Sequence, residues 1–291
     1  MEKKTASKKL VLITDSSPSQ VGDGFFIRRA LPTRRYPNIS PFLMLDHAEP
    51  TYCEPSDTPK GVDAHPHRGF ETVTIVYGGA LEHRDSAGNY GKLFAGDVQW
   101  MTAASGIVHE EKHEKEFSKN GGTLEMVQLW VNLPAKYKMS APKYQDISGV
   151  NIPVLKTKDE KSIIRVIAGN FDGTQGAADT FTKINIFDIR MQSGGKLDLH
   201  LEENTNTIIY VLAGTATFNE ENKVNTGMSA FFHEKGTDIE ITAEETTKLL
   251  VLNGEPINEP TASYGPFVMN TQEEIMMAIH DFNAGKMGRL D

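Results

Sequence analysis

Short β-branched and aromatic runs, each halted within a few residues by Gly, Asn or Asp, recur along the chain, and this cadence constrains the fold more than any other feature. Residues 70–76 (FETVTIV) alternate Glu71, Val73 and Ile75 with Thr72, Thr74 and Val76, the period-two signature of a strand, and stop at Gly78-Gly79. Turn clusters follow at Asp85-Ser86-Ala87-Gly88-Asn89 and Gly96-Asp97, and residues 124–131 (LEMVQLWV) form the next long strand-like run, closed by Asn132-Leu133-Pro134. Many short strands at this spacing predict a barrel or sandwich rather than alternating β–α units.

A chain of 291 residues is long enough for two domains. Between Pro134 and Gly149 the composition turns to Lys, Pro, Ser and Gly, so the expected division is 1–141 and 142–291. The second half repeats the strand grammar at 163–168, 181–190, 207–212, 216–218, 229–232, 238–241 and 248–252. The stretches HPHRGFETVTIVYG (65–78) and HLEENTNTIIYVLAG (200–214) share a His-containing entry, a strand and a glycine stop, which fits two related all-β domains. One helix is expected near the end. Thr271 and Glu274 form a capping box, Ile275, Ile279 and Phe282 fall on one face, and Gly285 is a natural stop. Its expected role is to bury that stripe against a sheet and cover part of the domain interface, while residues 1–9 are expected as a frayed tail.

Composition removes several classes of function. With 30 basic and 39 acidic residues the formal charge is −9, which argues against a broad basic face for nucleic acid. The single cysteine, Cys53, excludes an intrachain disulfide and any Cys-based zinc or iron–sulfur site, in keeping with a reducing compartment. No run approaches the roughly 20 apolar residues of a membrane span, and residues 10–13 are too short for a signal-peptide core. The expectation is a cytoplasmic monomer with no nucleic-acid or membrane partner.

Six of the nine histidines lie between His47 and His113. His65-Pro66-His67 and His109-Glu110-Glu111 each place two metal-ligating side chains at i and i+2, on one face if the segment is a strand. Were the two strands neighbours, three imidazoles and one carboxylate would converge, a donor set that suits a first-row divalent ion with positions left open for substrate. The plain alternatives are an isolated HxH in a loop and a solvated charged loop at residues 109–116 (HEEKHEKE). Glu71 four residues after His67, Gly78 beyond it, and Gly106 three before His109 raise the odds of a site.

These are the spacings of the two cupin motifs, and the flanking residues narrow the resemblance to the pirin family. It is carried by HPHRGFETVT (65–74), GDVQWM (96–101), SGIVHEE (105–111), Trp130-Val131-Asn132-Leu133 and GPFVMNTQEE (265–274), so it spans both domains. The resemblance implies an all-β bicupin, two tandem cupin-type β-barrels with a short C-terminal helix. It also implies one Fe(II) per chain in the N-terminal domain, other divalent metals being compatible, with His65, His67, His109 and Glu111 as ligands. Glu71 holds the usual cupin glutamate position and is the rival carboxylate, and His113 and Glu110 are nearby spares. Arg68 and Glu71 are expected to support the ligand loop, and Phe70, Gln99, Trp100 and Met101 are pocket candidates by proximity, with barrel-core packing the better expectation.

In the second domain Gly194, His200 and Gly214 keep cupin spacing, but Glu202 and Thr207 stand where a second His and the Glu would be and His233 lacks its Gly-x-x-His setting, so no site is expected there. Pirin-like proteins include ones with quercetin 2,3-dioxygenase activity. The first expectation is therefore an oxidoreductase of that type, acting on a small aromatic substrate with dioxygen, with Glu111 able to take the substrate proton. The second is an iron-dependent redox-sensing regulator that binds a protein partner such as a transcription factor or metabolic enzyme. A metal that only holds the fold ranks last, because such sites are usually closed and cysteine-rich.

Overall fold

The alternating run at 70–76 is a strand, but one buried on both faces: Val73 and Ile75 are fully covered, and so nearly are Thr72 and Thr74 opposite them. The reason is its central place in a sheet that lines a barrel. The computed structural model describes residues 6–23, 25–37 and 39–290. In chain order the first strands are β1 (Leu10–Asp15), β2 (Ser17–Val21), β3 (Phe25–Leu31), β4 (Phe42–Cys53), β5 (Gly61–His67), β6 (Phe70–Gly78), β7 (Ala80–Asp85), β8 (Tyr90–Phe94), β9 (Val98–Thr102), β10 (Ile107–His113), β11 (Gly122–Asn132) and β12 (Lys143–Ile147). They form a seven-stranded sheet ordered β12-β9-β6-β11-β4-β3-β2 and a four-stranded sheet ordered β5-β10-β7-β8, with β12–β9–β6–β11–β4 and the whole four-stranded sheet paired antiparallel. With only three short α-helices among the described residues, α1 (Lys115–Asn120), α2 (Ala135–Lys138) and α3 (Gln272–Asn283), the protein is all-β, as its turn cadence predicts.

The segments predicted in the second half are realised closely. Ser162–Ala168, Ile184–Met191, Asn206–Ala213, Met228–Phe232 and Thr247–Gly254 belong to one sheet, and Thr215–Phe218 and Asp238–Ala243 to a second. Phe187, Ile209, Phe218, Leu249 and Val251 share a closed apolar core there. That burial supplies the hydrophobic driving force of this unit.

The chain does not divide once at 141/142. Among the described residues, one compact unit comprises the stretch up to Ser17, Ala30–Ser40 and Asn151–Pro256; the other comprises Pro18–Arg29, Pro41–Val150 and the stretch from Ile257 onward. Two physical reasons are visible. Strand β1 pairs with the otherwise open edge of Met228–Phe232, satisfying backbone groups that sequence composition does not register. The terminal helix, α3 (Gln272–Asn283), has its predicted capping box and buries Ile275 and Ala278 with Val108, Phe267, Met269 and Met287, all in the unit that contains β5 and β10. Phe282, placed on the buried stripe by periodicity, stays 37% exposed at the rim of that cluster, against Phe267.

The expected frayed tail is corrected in part. Residues 1–5 lie outside the described residues, but Lys8 is anchored: its backbone N–H donates to Asp238 O at 2.7 Å, and its buried ammonium donates to the carbonyls of Thr205, His233 and Glu234 at 3.0–3.2 Å. No helix among the described residues is long and apolar enough to cross a membrane.

Candidate metal centre

β5 and β10 are neighbours, paired antiparallel with His65 opposite His109 and His67 opposite Ile107. The i, i+2 spacing on each strand therefore turns both of its ligand-type side chains to one side, and a bulge between His109 and Glu111 re-aims the carboxylate. The charged run 109–116 is thus not a solvated loop: its first five residues complete β10, with His109, Glu111 and His113 buried, and the next begin α1 (Lys115–Asn120), capped by the Glu114 side chain.

The ligand-type nitrogens of His65, His67 and His109 lie within 4.8 Å of one another, the one such cluster of three among the described residues. Each imidazole is oriented by its other nitrogen. His65 Nδ1 donates to Asp63 O at 2.8 Å, His67 Nδ1 faces Pro266 O at 3.4 Å, and His109 Nδ1 is 3.0 Å from His83 Nε2. A carbonyl only accepts, so the Nδ1 atoms of His65 and His67 carry the protons and their Nε2 lone pairs face each other, 3.1 Å apart. His109 Nε2 is buried with no hydrogen-bond partner among the described residues. Lone pairs converging without a shared proton are unfavourable unless a cation sits among them, and tautomers set by second hydrogen bonds are the usual preparation of histidine ligands. The donor set fits a first-row divalent metal.

Electrostatics keep His67 and His109 neutral. Burial, reinforced by the neighbouring histidines, pushes His67 and His109 well below the usual histidine range. Burial likewise takes His83 down to about 4. Desolvation raises the Glu111 carboxyl, opposed by His65 and by hydrogen bonds from Thr74 and Gln128. Thr74 Oγ1 is 3.0 Å from Glu111 Oε1, and Gln128 Nε2 reaches both carboxylate oxygens at 3.3–3.4 Å.

Glu111, His65 and His67 line a cavity of about 340 Å³. Phe25, Ile27, Met44, Met126 and Trp130 supply its apolar wall, and Arg29, Asp46 and Gln128 its polar side. The pocket candidates Phe70, Gln99, Trp100 and Met101 are instead buried and do not border this cavity. Their strands are adjacent in sequence to the histidines, whereas the cavity wall is built by β3, β4 and β11 across the sheet.

The rival carboxylate is engaged elsewhere. Glu71 Oε1 accepts from Trp100 Nε1 at 2.9 Å and from Thr102 Oγ1 at 2.7 Å. Arg68 does not pair with it; its Nε donates to Ser105 O and its Nη1 to Asp281, binding the ligand loop to α3. His113 packs edge-on to Phe25 and Phe117, and Glu110 takes Arg84. In the other unit His200 faces Asp238, Glu202 pairs with Lys183, and Thr207 accepts from Asn253. His83, which the sequence does not single out, stands against the candidate ligand His109. Its one signal was membership of the six-histidine window, and only the pairing of β7 with β10 brings it to His109.

Residues 24–131 match the family described as pirin, and residues 186–288 match the pirin C-terminal cupin domain. A solved quercetin 2,3-dioxygenase from Acinetobacter baumannii superposes with a TM-score of 0.95 at 45% identity, covering 98% of this chain and 100% of that one. A Pseudomonas aeruginosa protein, provisionally named a quercetin 2,3-dioxygenase, is 44% identical over 283 residues, 97% of this chain and 99% of its own. The human protein named pirin is 33% identical over 289 residues, with 97% and 95% covered.

Proposed function

The chain belongs to the pirin family, and from that premise we propose that it is a metal-dependent dioxygenase that opens the ring of a flavonol such as quercetin, or of a similar aromatic enol, with His65, His67, His109 and Glu111 holding one ferrous ion. The observation that carries this reading is the convergence of the His65 and His67 Nε2 atoms at 3.1 Å, in the wall of a mostly apolar cavity, beside a buried His109 Nε2 with no partner among the described residues. A ferrous ion held there supplies Lewis-acid and redox chemistry toward dioxygen and an acidic enol hydroxyl.

The protein's own groups do the rest. Asp63 O, Pro266 O and His83 hold the three rings so that little reorganisation is needed on binding. The Phe25, Ile27, Met44 and Met126 wall takes the flat apolar body of the substrate and excludes bulk water, which strengthens every electrostatic interaction inside. Glu111 Oε would take the enol proton as its hold on the metal loosens. Gln128 and Thr74 keep it aimed.

Metal content after anaerobic iron reconstitution, with oxygen uptake on quercetin, tests the proposal on wild type and on the His65→Ala, His109→Ala double variant. About one iron per chain and quercetin-dependent uptake, both lost in the variant, are expected. Iron bound without uptake would favour the regulatory reading; no metal in wild type would remove the site itself. Other first-row ions are accommodated by the same donors, so nickel and copper belong in the reconstitution series.

A further inference from the structure

Resting on the flavonol reading, one feature of the cavity is left without a role: an ion pair set into its wall. Asp46 on β4 stands opposite Gln128 on β11, which stands opposite Thr74 on β6. Directly opposed residues of an antiparallel sheet point to the same side, so Thr74, Gln128 and Asp46 form a polar row. The row starts at the Glu111 carboxylate, which Thr74 and Gln128 both reach. Its far end is closed from β3 by Arg29, whose Nε and Nη2 meet Asp46 Oδ1 and Oδ2 at 2.8 and 2.6 Å. Both partners border the same cavity as His65, His67 and Glu111.

The pair is an expensive way to join two strands. Asp46 is 2% exposed while the Arg29 side chain keeps 35% of its surface open, so the cost of desolvating the carboxylate offsets much of what the pair contributes to joining the strands. Its neighbours Phe25, Ile27 and Met44 show that this wall is otherwise apolar. What the pair does offer a ligand is unused hydrogen-bonding capacity. Two of the five guanidinium N–H groups are spent on Asp46, leaving three donors, and the carboxylate oxygens keep further lone pairs. Donors and acceptors side by side with no net charge match neutral hydroxyl groups, each of which both donates and accepts. A carboxylate would find the guanidinium already compensated and Asp46 repulsive.

We propose that Arg29 and Asp46 form a specificity-determining pair that recognises phenolic hydroxyls on the end of the ligand remote from the metal. The substrate class is thereby narrowed to flat aromatic enols that carry neutral hydroxyls on a distal ring. Analogues without those hydroxyls, or with a carboxylate in their place, are discriminated against, because the pair would be covered and left unsatisfied.

The test compares two flavonols that share the enol-bearing half, quercetin with its dihydroxyphenyl ring and galangin with a plain phenyl ring. Binding is read as quenching of protein fluorescence in the metal-loaded protein. Wild type is expected to prefer quercetin by about 10-fold or more, the scale of one or two hydrogen bonds. In the Arg29→Met, Asp46→Leu double variant, which removes both charges together, the two should bind within about 2-fold. Metal content should be unchanged, and galangin should bind at least as tightly as it does to wild type. An undiminished preference in the double variant overturns the assignment and leaves the pair a strand clamp. Should that variant not fold, Arg29→Lys keeps the charge but loses the fork, and an unchanged preference there overturns it equally. If neither flavonol binds loaded wild type, the flavonol reading itself falls, and this assignment with it.

Discussion

His83 Nε2 lies 3.0 Å from His109 Nδ1, and the His83 ring stacks on Tyr144 at 5.3 Å with an interplanar angle of 17°. Burial keeps His83 neutral at physiological pH. If His109 Nε2 holds a metal, the His109 proton sits on Nδ1 and is donated to His83 Nε2, so His83 would fix the orientation of that ring.

Replacing it tests that role. His83→Leu should lower metal affinity by about 10- to 100-fold, the usual consequence of removing such a partner. The measurement is a chelator competition titration, with circular dichroism confirming the fold. Unchanged affinity would make His83 a packing residue only.

Glu111→Gln keeps the shape of the side chain and removes its charge. Weaker metal retention and a loss of at least about 100-fold in quercetin-dependent oxygen uptake are expected, on the scale of a lost general base. Retention of both metal and turnover would exclude Glu111 as ligand and as base.

Lys138, 1% exposed, donates to Gly69 O and Asn132 Oδ1 at 2.6 Å and to Val268 O at 2.9 Å. Lys138→Met would strand the buried carbonyls of Gly69 and Val268, at about 1–3 kcal/mol each, while Asn132 Oδ1 keeps the Leu133 N–H, so urea unfolding should show a loss of about 2 kcal/mol or more. Because Gly69 closes the HPHRG ligand loop, metal affinity should fall as well. A loss below about 1 kcal/mol would show that water replaces the ammonium.

Glu71 carries a pH signature. Desolvation pushes its carboxyl from an ordinary value near 4.5 up to about 7, against hydrogen bonds from Thr102 and Trp100. Between those values the folded state keeps a proton the unfolded chain has released, so this group's contribution to stability declines as pH rises through the window. At about 1.4 kcal/mol per unit the full span is roughly 3 kcal/mol. The fall in unfolding free energy from pH 5 to pH 7.5 should therefore be smaller in Glu71→Gln than in wild type; equal slopes would contradict the assignment.

Much of this protein is legible in one dimension. The strand runs, the Thr271–Glu274 capping box and the HxH and HxE pairs are written in local periodicity, because side-chain direction on a strand or helix depends only on residue spacing. What local spacing cannot hold is which strand lies beside which. The pairing of β5 with β10 turned two short motifs into one cluster, and the bulge after His109 placed Glu111, not Glu71, along the cavity. Register across β6, β11 and β4 lined up Thr74, Gln128 and Asp46 from three separate segments of the chain. The edge left open at Met228–Phe232 drew in β1, and the apolar patch at Val108 and Met287 took the terminal helix, so the chain crosses the division that composition alone would draw at residue 141. Edge satisfaction and non-local burial are properties of the assembled sheet; no window of sequence contains both partners, and only the tertiary structure decides them.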